Sequence, residues 1–310
     1  MKTALVLGAS GGFGRYMALS LLEQDWRIKV LMRNPSKIPR ELLGKVQIIK
    51  GNAKSLTDLS IAARGCDALI YGINLPYKDW HERSIPLLNT SLSIAQQFQL
   101  TFLFPGNIYV YDPKFGPYFF EGSEKKAISK KGAIRIEMET MLHRASDQGL
   151  KVILIRAGDF IGKDIPSSWM NFLIKKNKNN YEITTPGPLN VTHTWAYLPD
   201  LCNQATALLE NHSNLKGNFQ DFHFSGHSFS FSELKRAIQS HTGKPVKVKK
   251  FPWWLIKLLS SINKPIREIR EIKYLWFKQM DLKTSDSQFK NESVNHQSNL
   301  ISILTASNLI

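Results

Sequence analysis

Short apolar runs alternate with longer amphipathic segments along the first two thirds of the chain. Six short runs are mostly apolar, which predicts strands, and the first of them has the pattern of a strand that is buried on both faces. They are Ala4–Leu7, Arg27–Met32, Val46–Ile49, Ala68–Tyr71, Leu100–Phe104 and Val152–Ile155. Apolar residues at helical spacing predict helices over Arg15–Glu23, Ile85–Gln97, Ile134–Ala145 and Leu198–Leu209. Strands that alternate with helices in this way predict an α/β fold with a doubly wound parallel sheet.

The alternation breaks in two places, and these breaks set the predicted domain boundaries. Residues 1–162 and 192–223 are assigned to the sheet domain. Residues 163–191 and 224–283 are assigned to a smaller lobe at the carboxyl ends of the strands, where α/β sheets bind ligands. Residues 284–310 are rich in Ser, Asn and Gln, and we expect them to form a flexible tail.

A glycine-rich segment follows the first predicted strand directly. Glycines at this point let the backbone turn tightly and approach a pyrophosphate, and the N-terminus of the following helix supplies unpaired N–H groups and a partial positive charge. The segment also lies between a strand and a helix, which is the context that a dinucleotide-binding loop requires. The predicted cofactor-binding residues of the loop are Gly8, Ser10, Gly11, Gly12, Phe13, Gly14 and Arg15. The alternative is a glycine-rich turn that binds nothing.

The residue after the second predicted strand bears on the choice of dinucleotide. Folds that bind NAD place Asp or Glu there to accept hydrogen bonds from the adenosine ribose, whereas this chain has Arg33. A guanidinium at this position, with Arg15 just after the glycine loop, suits a 2′-phosphate through charge-assisted hydrogen bonds. The sequence therefore predicts NADP in preference to NAD. The alternative is that Arg33 stacks on the adenine.

The chain is strongly basic, with a formal net charge of +16, and half of this excess lies between residues 240 and 283, where 11 Lys/Arg oppose 3 Asp/Glu. Such a segment could bind nucleic acid or anionic lipid. The cations are dispersed among apolar residues, which favours a solvated face and affinity for a small anionic or polar substrate instead. We therefore expect no nucleic-acid partner. The amphipathic stretch 251–259 could touch a membrane, but packing within the smaller lobe is the favoured interpretation.

The cysteines and histidines bear on the cellular compartment and on metal binding. Cys66 and Cys202 lie far apart in apolar segments, which indicates a reducing cytoplasm rather than a disulfide framework. No apolar run is long enough to span a membrane. His223 and His227 have the spacing of metal ligands on a helix, but their surroundings predict a strand and a turn, so we expect no metal site. His193 and Trp195 are candidates for a substrate cleft and equally for the core.

The spacing Gly-x-x-Gly-x-x-Gly resembles that of the extended short-chain dehydrogenase/reductases, also called the NAD-dependent epimerase/dehydratase family. Further motifs resemble this family in the same order, over about residues 1 to 280. They are Gly51-Asn52-Ala53, Gly72-Ile73-Asn74, Val110-Tyr111-Asp112, Arg156-Ala157-Gly158-Asp159 with Gly162, and the segment from His193 to Asp200. The resemblance implies a Rossmann fold with a C-terminal substrate lobe. It also implies further cofactor contacts from Asn52, Ala53, Gly72, Ile73 and Asn74.

The chain departs from this family at the Ser-Tyr-Lys catalytic signature. Counting from Val110 and from Glu139 places Asn107, Lys131 and Arg135 at the three positions. Asn107 can donate a hydrogen bond to a carbonyl, as Ser would. Lysine has an ordinary pKa of about 10.4, close to the value of about 10 for tyrosine. A neighbouring cation would lower it, so Lys131 is predicted to transfer protons. The alternative is that Lys131 and Arg135 only hold ribose and phosphate.

Two functions are compatible with these residues. The first, which is favoured, is an NAD(P)-dependent oxidoreductase, epimerase or dehydratase acting on a small polar substrate such as a nucleotide sugar. The second is a catalytically inactive sensor that binds NADP(H) and reports its level to a partner. A substrate lobe favours the enzyme, whereas the degenerate catalytic signature favours the sensor. A homodimer is compatible with either function.

Overall fold

The computed structural model describes residues 1–211, 217–261, 263–285 and 298–310, and their contacts divide the chain into two compact units. Unit 1 comprises Met1–Gly106, Ile134–Arg156 and Leu198–Phe222. Unit 2 comprises Asn107–Ala133, Ala157–Tyr197 and His223–Ile310. The assignment of residues 163–191 and 224–283 to a substrate lobe stays a prediction.

The described residues form the following strands and helices. The strands are β1 (Thr3–Leu7), β2 (Arg27–Met32), β3 (Gln47–Lys50), β4 (Ala68–Tyr71), β5 (Thr101–Asn107), β6 (Tyr118–Phe119), β7 (Val152–Ala157), β8 (Asp159–Ile161), β9 (Ile174–Lys176), β10 (Tyr181–Thr185), β11 (Thr192–Tyr197), β12 (Phe219–His223), β13 (His227–Ser230), β14 (Val246–Lys250) and β15 (Asp281–Leu282). The helices are α1 (Gly12–Glu23), α2 (Leu56–Ala63), α3 (Trp80–Gln97), α4 (Lys130–Asp147), α5 (Trp169–Leu173), α6 (Leu198–Glu210), α7 (Phe231–Thr242), α8 (Trp253–Leu259), α9 (Lys264–Glu271) and α10 (Leu300–Ala306). Among these helices, none is both long enough and apolar enough to cross a membrane.

Unit 1 is built on a seven-stranded sheet with the order β12-β7-β5-β4-β1-β2-β3. The pairs from β5 to β3 are parallel, and β1 pairs with β2 on one side and with β4 on the other. The chain thus builds the sheet outward from β1 to β3 and then crosses back to β4. This reversal of strand order is the point at which a doubly wound sheet binds ligands. The predicted fold class, a Rossmann-type doubly wound parallel sheet, is confirmed.

Burial explains why the central strands carry so few polar residues. All five residues of β1 and all four of β4 are buried, because helices cover both faces of the sheet. The helix α1 buries Met17 and Leu21 and packs against α6. At this contact the Ser20 hydroxyl lies 2.9 Å from the Thr206 hydroxyl, which satisfies two polar groups that the packing buries.

A buried ion pair joins α4 to β7 in unit 1. The guanidinium of Arg156 is fully buried and donates two hydrogen bonds to the Glu139 carboxylate, at 2.8 and 2.9 Å, and a third to Asp221 at 3.1 Å. Two charges withdrawn from water are stable only when they pair in this way. Glu139 and Arg156, which belong to separate sequence motifs, therefore lock two neighbouring elements together.

Unit 2 contains three small sheets, with the orders β14-β10-β9, β13-β11-β8 and β15-β6. Its core is rich in aromatic side chains, and Trp195 and Trp276 are almost completely buried there. Residues 286–297 of the predicted flexible tail lie outside the described residues. Residues 300–306 instead form α10, whose Ile303 and Leu304 are buried in this core.

We expect Arg156→Met to destabilise unit 1 by about 3–5 kcal/mol, because it leaves two carboxylates buried without their cation. The free energy of unfolding from urea titration, followed by circular dichroism, measures this loss. Arg144→Met is the matched control: Arg144 is exposed on the same α4, so the change should stay within about 0.5 kcal/mol. Equal stability of the two variants would show that the buried pair does not hold α4 and β7 together.

Candidate dinucleotide-binding site

Three glycines bring the backbone of the first turn into direct contact with the turn after β4. Gly8 has a φ of +76°, and a Cβ there would lie 2.3 Å from the Gly72 carbonyl oxygen. A Cβ on Gly14 would lie 2.5 Å from the Gly8 carbonyl oxygen, and one on Gly72 would lie 2.6 Å from that of Leu7. Each distance is too short for any side chain. These glycines are therefore required by the packing of the protein itself.

Gly11 has a different environment. A Cβ at this position would meet only the Gly8 carbonyl oxygen, at 3.3 Å, which a small shift could relieve. Gly11 is also the N-cap of α1, where no side chain caps the helix and no acidic residue lies in the first turn. An uncapped helix N-terminus with a partial positive charge binds anions such as a pyrophosphate. The arrangement thus fits the phosphate groups of a dinucleotide.

A cleft of about 240 Å³ opens in unit 1 where β1, β2 and β4 end. Nine of the predicted cofactor-binding residues line it: Gly8, Ser10, Gly11, Arg33, Asn52, Ala53, Gly72, Ile73 and Asn74. The other four, Gly12, Phe13, Gly14 and Arg15, are not among its lining residues. Sequence reasoning missed Lys54 and Arg83, two further cations that line the cleft. None of the described residues that line it is acidic, so the cleft favours a negatively charged ligand.

The two arginines predicted to face a 2′-phosphate have different surroundings. Arg33 is exposed and lines the cleft. Arg15 is buried, and its guanidinium lies 3.7 Å from the Glu41 carboxylate and stacks over the Tyr16 ring. Of the two, Arg33 is thus the one that the fold presents to a ligand in the cleft.

Asn52 occupies the position where the family has an acid, in the turn after β3. Its backbone N–H donates to the Asp58 carboxylate at 2.7 Å, and its side-chain oxygen accepts from the Lys54 N–H at 3.1 Å. These bonds fix the turn that forms one wall of the cleft. Asp58 belongs to α2, where the Ser55 side chain caps the helix, so a short local segment determines this wall.

Arg135 lies beside the same cleft. It lines a small recess of about 20 Å³, and this recess shares Ile73 and Asn74 with the larger cleft. Its guanidinium donates to the Pro105 carbonyl oxygen and lies 4.7 Å from the centre of the Phe104 ring. Burial raises the pKa of Tyr71, another residue of the recess, although Arg135 acts in the opposite direction. Tyr71 therefore keeps its proton at neutral pH.

Lys131 is one helical turn before Arg135 on α4, but its side chain belongs to unit 2. It is 1% exposed, and its ammonium donates to Glu268 and, at 2.8 Å, to Glu271. The sequence places the cation Arg135 near this amine, whereas the groups bound to it are carboxylates. The side-chain oxygen of Asn107 accepts a hydrogen bond from the Tyr109 N–H at 3.1 Å. The catalytic roles of Asn107, Lys131 and Arg135 stay predictions.

Two titratable groups of unit 2 have strongly shifted pKa values. Burial lowers the pKa of His193 to about 4, so its ring is neutral at physiological pH. His193 and Trp195 pack with Phe231 and Trp276, which places both in the aromatic core. Desolvation raises the pKa of the Asp159 carboxyl to about 7. Asp159 belongs to one of the family-like sequence motifs but was not among the predicted site residues, and its shifted pKa is a signal that only the structure supplies.

The comparisons with known proteins agree with this geometry. Residues 8–158 match the model of a protein family described as NAD(P)H-binding. No curated protein matches the sequence. Among solved structures, a nucleoside-diphosphate-sugar epimerase from Staphylococcus aureus is 16% identical, with a TM-score of 0.67 and coverage of 100% of this chain and 99% of that chain.

Two other solved structures are similar over nearly their whole length. A UDP-glucose 4-epimerase from Bifidobacterium longum, in complex with NAD⁺ and UDP, is 14% identical, with a TM-score of 0.74 and coverage of 99% and 97% of the two chains. A monomeric L-threonine 3-dehydrogenase from a metagenome database is 16% identical, with a TM-score of 0.74 and coverage of 99% and 98%. The chain thus shares the fold of these solved structures over nearly its whole length, and its residues 8–158 match the NAD(P)H-binding family.

Proposed function

We propose that this protein is an NADP(H)-dependent oxidoreductase, epimerase or dehydratase that acts on a small polar substrate. The observation that carries the proposal is the cleft of unit 1. It is lined by the glycine turn, by the cations Arg33, Lys54 and Arg83, and by no carboxylate among the described residues. A site with this charge and an uncapped helix N-terminus suits a ligand that carries several phosphates.

NADP(H) is the proposed form of the cofactor, and it supplies or accepts the hydride when it is bound. Gly11 and the start of α1 would hold its pyrophosphate, and Asn52 and Ala53 would contact the adenine. Arg33 would pair with the 2′-phosphate, because none of the described lining residues is an acid that could accept the ribose hydroxyls of NAD.

The proposed roles at the altered catalytic positions follow from the contacts of each side chain. Asn107 has its amide oxygen bound to a backbone N–H, so the NH₂ group is the part suited to a substrate carbonyl. Arg135, in the recess next to the cleft, would hold the ribose or a substrate oxygen. Lys131 is the proposed proton-transfer group, and any transfer requires it to exchange its bonds to Glu268 and Glu271.

Nucleoside-diphosphate sugars are the substrate class we propose to test first. Several structures with the same fold are nucleotide-sugar epimerases by their names, and one of them holds NAD⁺ and UDP. The net charge of +16 would attract such a dianionic substrate. A cytoplasmic location is proposed from the two free cysteines, Cys66 and Cys202. A homodimer is also proposed, and sedimentation velocity tests it.

A non-catalytic NADP(H) sensor is the second candidate. One observation favours it: Lys131 is buried and its ammonium is bound by two carboxylates, so the side chain is engaged in an internal ion pair. Against it stands unit 2, because a protein that only binds a dinucleotide has little need of a second unit.

We expect Gly11→Ala and Gly14→Ala to separate binding from folding. Gly11→Ala should leave the Tm nearly unchanged and raise the Kd for NADPH at least about tenfold, since its Cβ would occupy space that the pyrophosphate needs. Gly14→Ala should lower stability by about 1–3 kcal/mol, because its Cβ overlaps the Gly8 carbonyl. Gly122→Ala is the control, since a Cβ there meets nothing within 4 Å. If calorimetry shows that Gly11→Ala binds NADPH as tightly as the wild type does, the pyrophosphate does not bind at this turn.

Arg33→Asp should shift the preference from NADP toward NAD. The lost charge-assisted contact is worth about 1.5–3 kcal/mol, or roughly ten- to a hundredfold in the Kd for NADPH. Arg40→Asp provides the control, because Arg40 is exposed but does not line the cleft. The assignment of Arg33 is wrong if the wild-type protein binds NADH as tightly as NADPH.

The role of Lys131 is tested by comparing Lys131→Met with the double variant Glu268→Gln/Glu271→Gln. If Lys131 transfers a proton, Lys131→Met lowers the turnover of nucleotide-sugar or carbonyl substrates, per folded protein, about a hundredfold or more. The double variant keeps its lysine and should keep most of its turnover. If Lys131 is only an anchor, both variants lose stability and neither loses turnover per folded protein. The sensor predicts NADPH binding without hydride transfer in the wild type and in every variant.

A further inference from the structure

The helix α8 is almost entirely apolar and yet lies on the surface of unit 2. Its sequence is Trp-Trp-Leu-Ile-Lys-Leu-Leu, and none of its residues is buried. Trp254 is 73% exposed and Leu258 is 66% exposed. These two residues are four positions apart and therefore share one side of the helix. The favoured sequence interpretation, packing within the smaller lobe, does not account for this exposed side.

Exposed cations occur on α8 itself and on the segments next to it. Lys250 ends β14 just before the helix, and Lys257 lies on the helix itself between the two exposed apolar residues. The neighbouring α9 packs against α8 and presents Arg267 and Arg270 to solvent. The Arg270 guanidinium also donates to the Ser260 hydroxyl at 3.1 Å, which ties α9 to the end of α8.

The carboxylates of the same segment are turned inward. Between residues 240 and 283 the sequence has only Glu268, Glu271 and Asp281. Glu268 and Glu271 both bind the buried ammonium of Lys131, and Asp281 accepts from Thr194 at 3.2 Å. Both acids of α9 are thus paired within unit 2, and one ammonium offsets one of their two charges. The surface of α8 and α9 keeps its positive charge.

Apolar side chains flanked by cations suit the boundary between lipid headgroups and acyl chains. Tryptophan and leucine enter this boundary, and lysine and arginine pair with the phosphates. A second copy of the chain is disfavoured as the occupant, because a symmetric contact would bring like charges together. Nucleic acid is disfavoured because stacking on bases requires aromatic rings, whereas most of the α8 side chains are aliphatic.

We propose that α8, together with Lys250, Lys257, Arg267 and Arg270, is a docking surface for an anionic lipid bilayer. Trp254 and Leu258 enter the headgroup region, and the four cations contact lipid phosphates. Docking of this kind is peripheral and reversible, and it does not depend on the proposed catalytic activity. It would bring the protein to a membrane without using any residue of the cleft in unit 1.

Co-sedimentation of the full-length protein with vesicles tests the proposal. We expect binding to vesicles of phosphatidylcholine mixed with phosphatidylglycerol, little binding to pure phosphatidylcholine, and a decline as salt is raised. Trp254→Ser/Leu258→Ser should weaken the partition coefficient at least about tenfold, through lost apolar burial. Lys257→Gln and Arg267→Gln should each weaken it about fivefold. All these positions are exposed, so the Tm and the affinity for NADPH should not change.

Leu43→Ser/Ile61→Ser is the matched control, since both residues are exposed apolar side chains of unit 1. Its vesicle binding should equal that of the wild type. The proposal fails if the wild type does not bind anionic vesicles, or if Trp254→Ser/Leu258→Ser binds them as well as the control does. Two other results would also overturn it, provided that no protein sediments with vesicles. In the first, the same double variant dissociates a dimer in sedimentation velocity. In the second, it loses binding to a single-stranded RNA.

Discussion

The backbone contact among Gly8, Gly14 and Gly72 is the constraint on which the cleft depends. It brings the start of α1 and the turn after β4 closer than any side chain would allow, since a Cβ on Gly8 would lie only 2.3 Å from a carbonyl oxygen. Because these atoms touch, the N-terminus of α1 lies directly over the ends of β1 and β4. The order of the strands reverses at this point, so the positive end of a helix meets the natural opening of the sheet.

Charge is distributed in the protein by a consistent pattern. Carboxylates are used to hold elements together: Glu139 and Asp221 bind Arg156 in unit 1, and Glu268 and Glu271 bind Lys131 in unit 2. The cations in these pairs are buried because their partners compensate them. Many other cations remain at the surface or in the cleft, where they are suited to phosphate groups. These internal pairs hold two cations against four carboxylates, so the positive excess behind the net charge of +16 lies outside them.

The burial of Lys131 has a structural consequence for the neighbouring helices. A lysine at position 131 is too strongly charged to be buried alone, and α9 supplies two carboxylates for it. The α9 helix thereby becomes tied to the start of α4. The same bonds remove the negative charge of α9 from the surface near α8. The ion pairs of Lys131 are thus coupled to the charge of a surface elsewhere in unit 2.

The sequence by itself determined the doubly wound sheet and most of the cleft, because these depend on local patterns. Buried parallel strands must be apolar throughout, and Gly8, Gly11 and Arg33 take their places from strand ends that such patterns reveal. Only the tertiary structure decided what Lys131 binds, because Glu268 and Glu271 are far from it in the chain. It also decided that α8 is exposed, since an apolar helix has the same sequence pattern whether or not another element covers it. Partners distant in sequence set both outcomes, and no local pattern encodes such contacts.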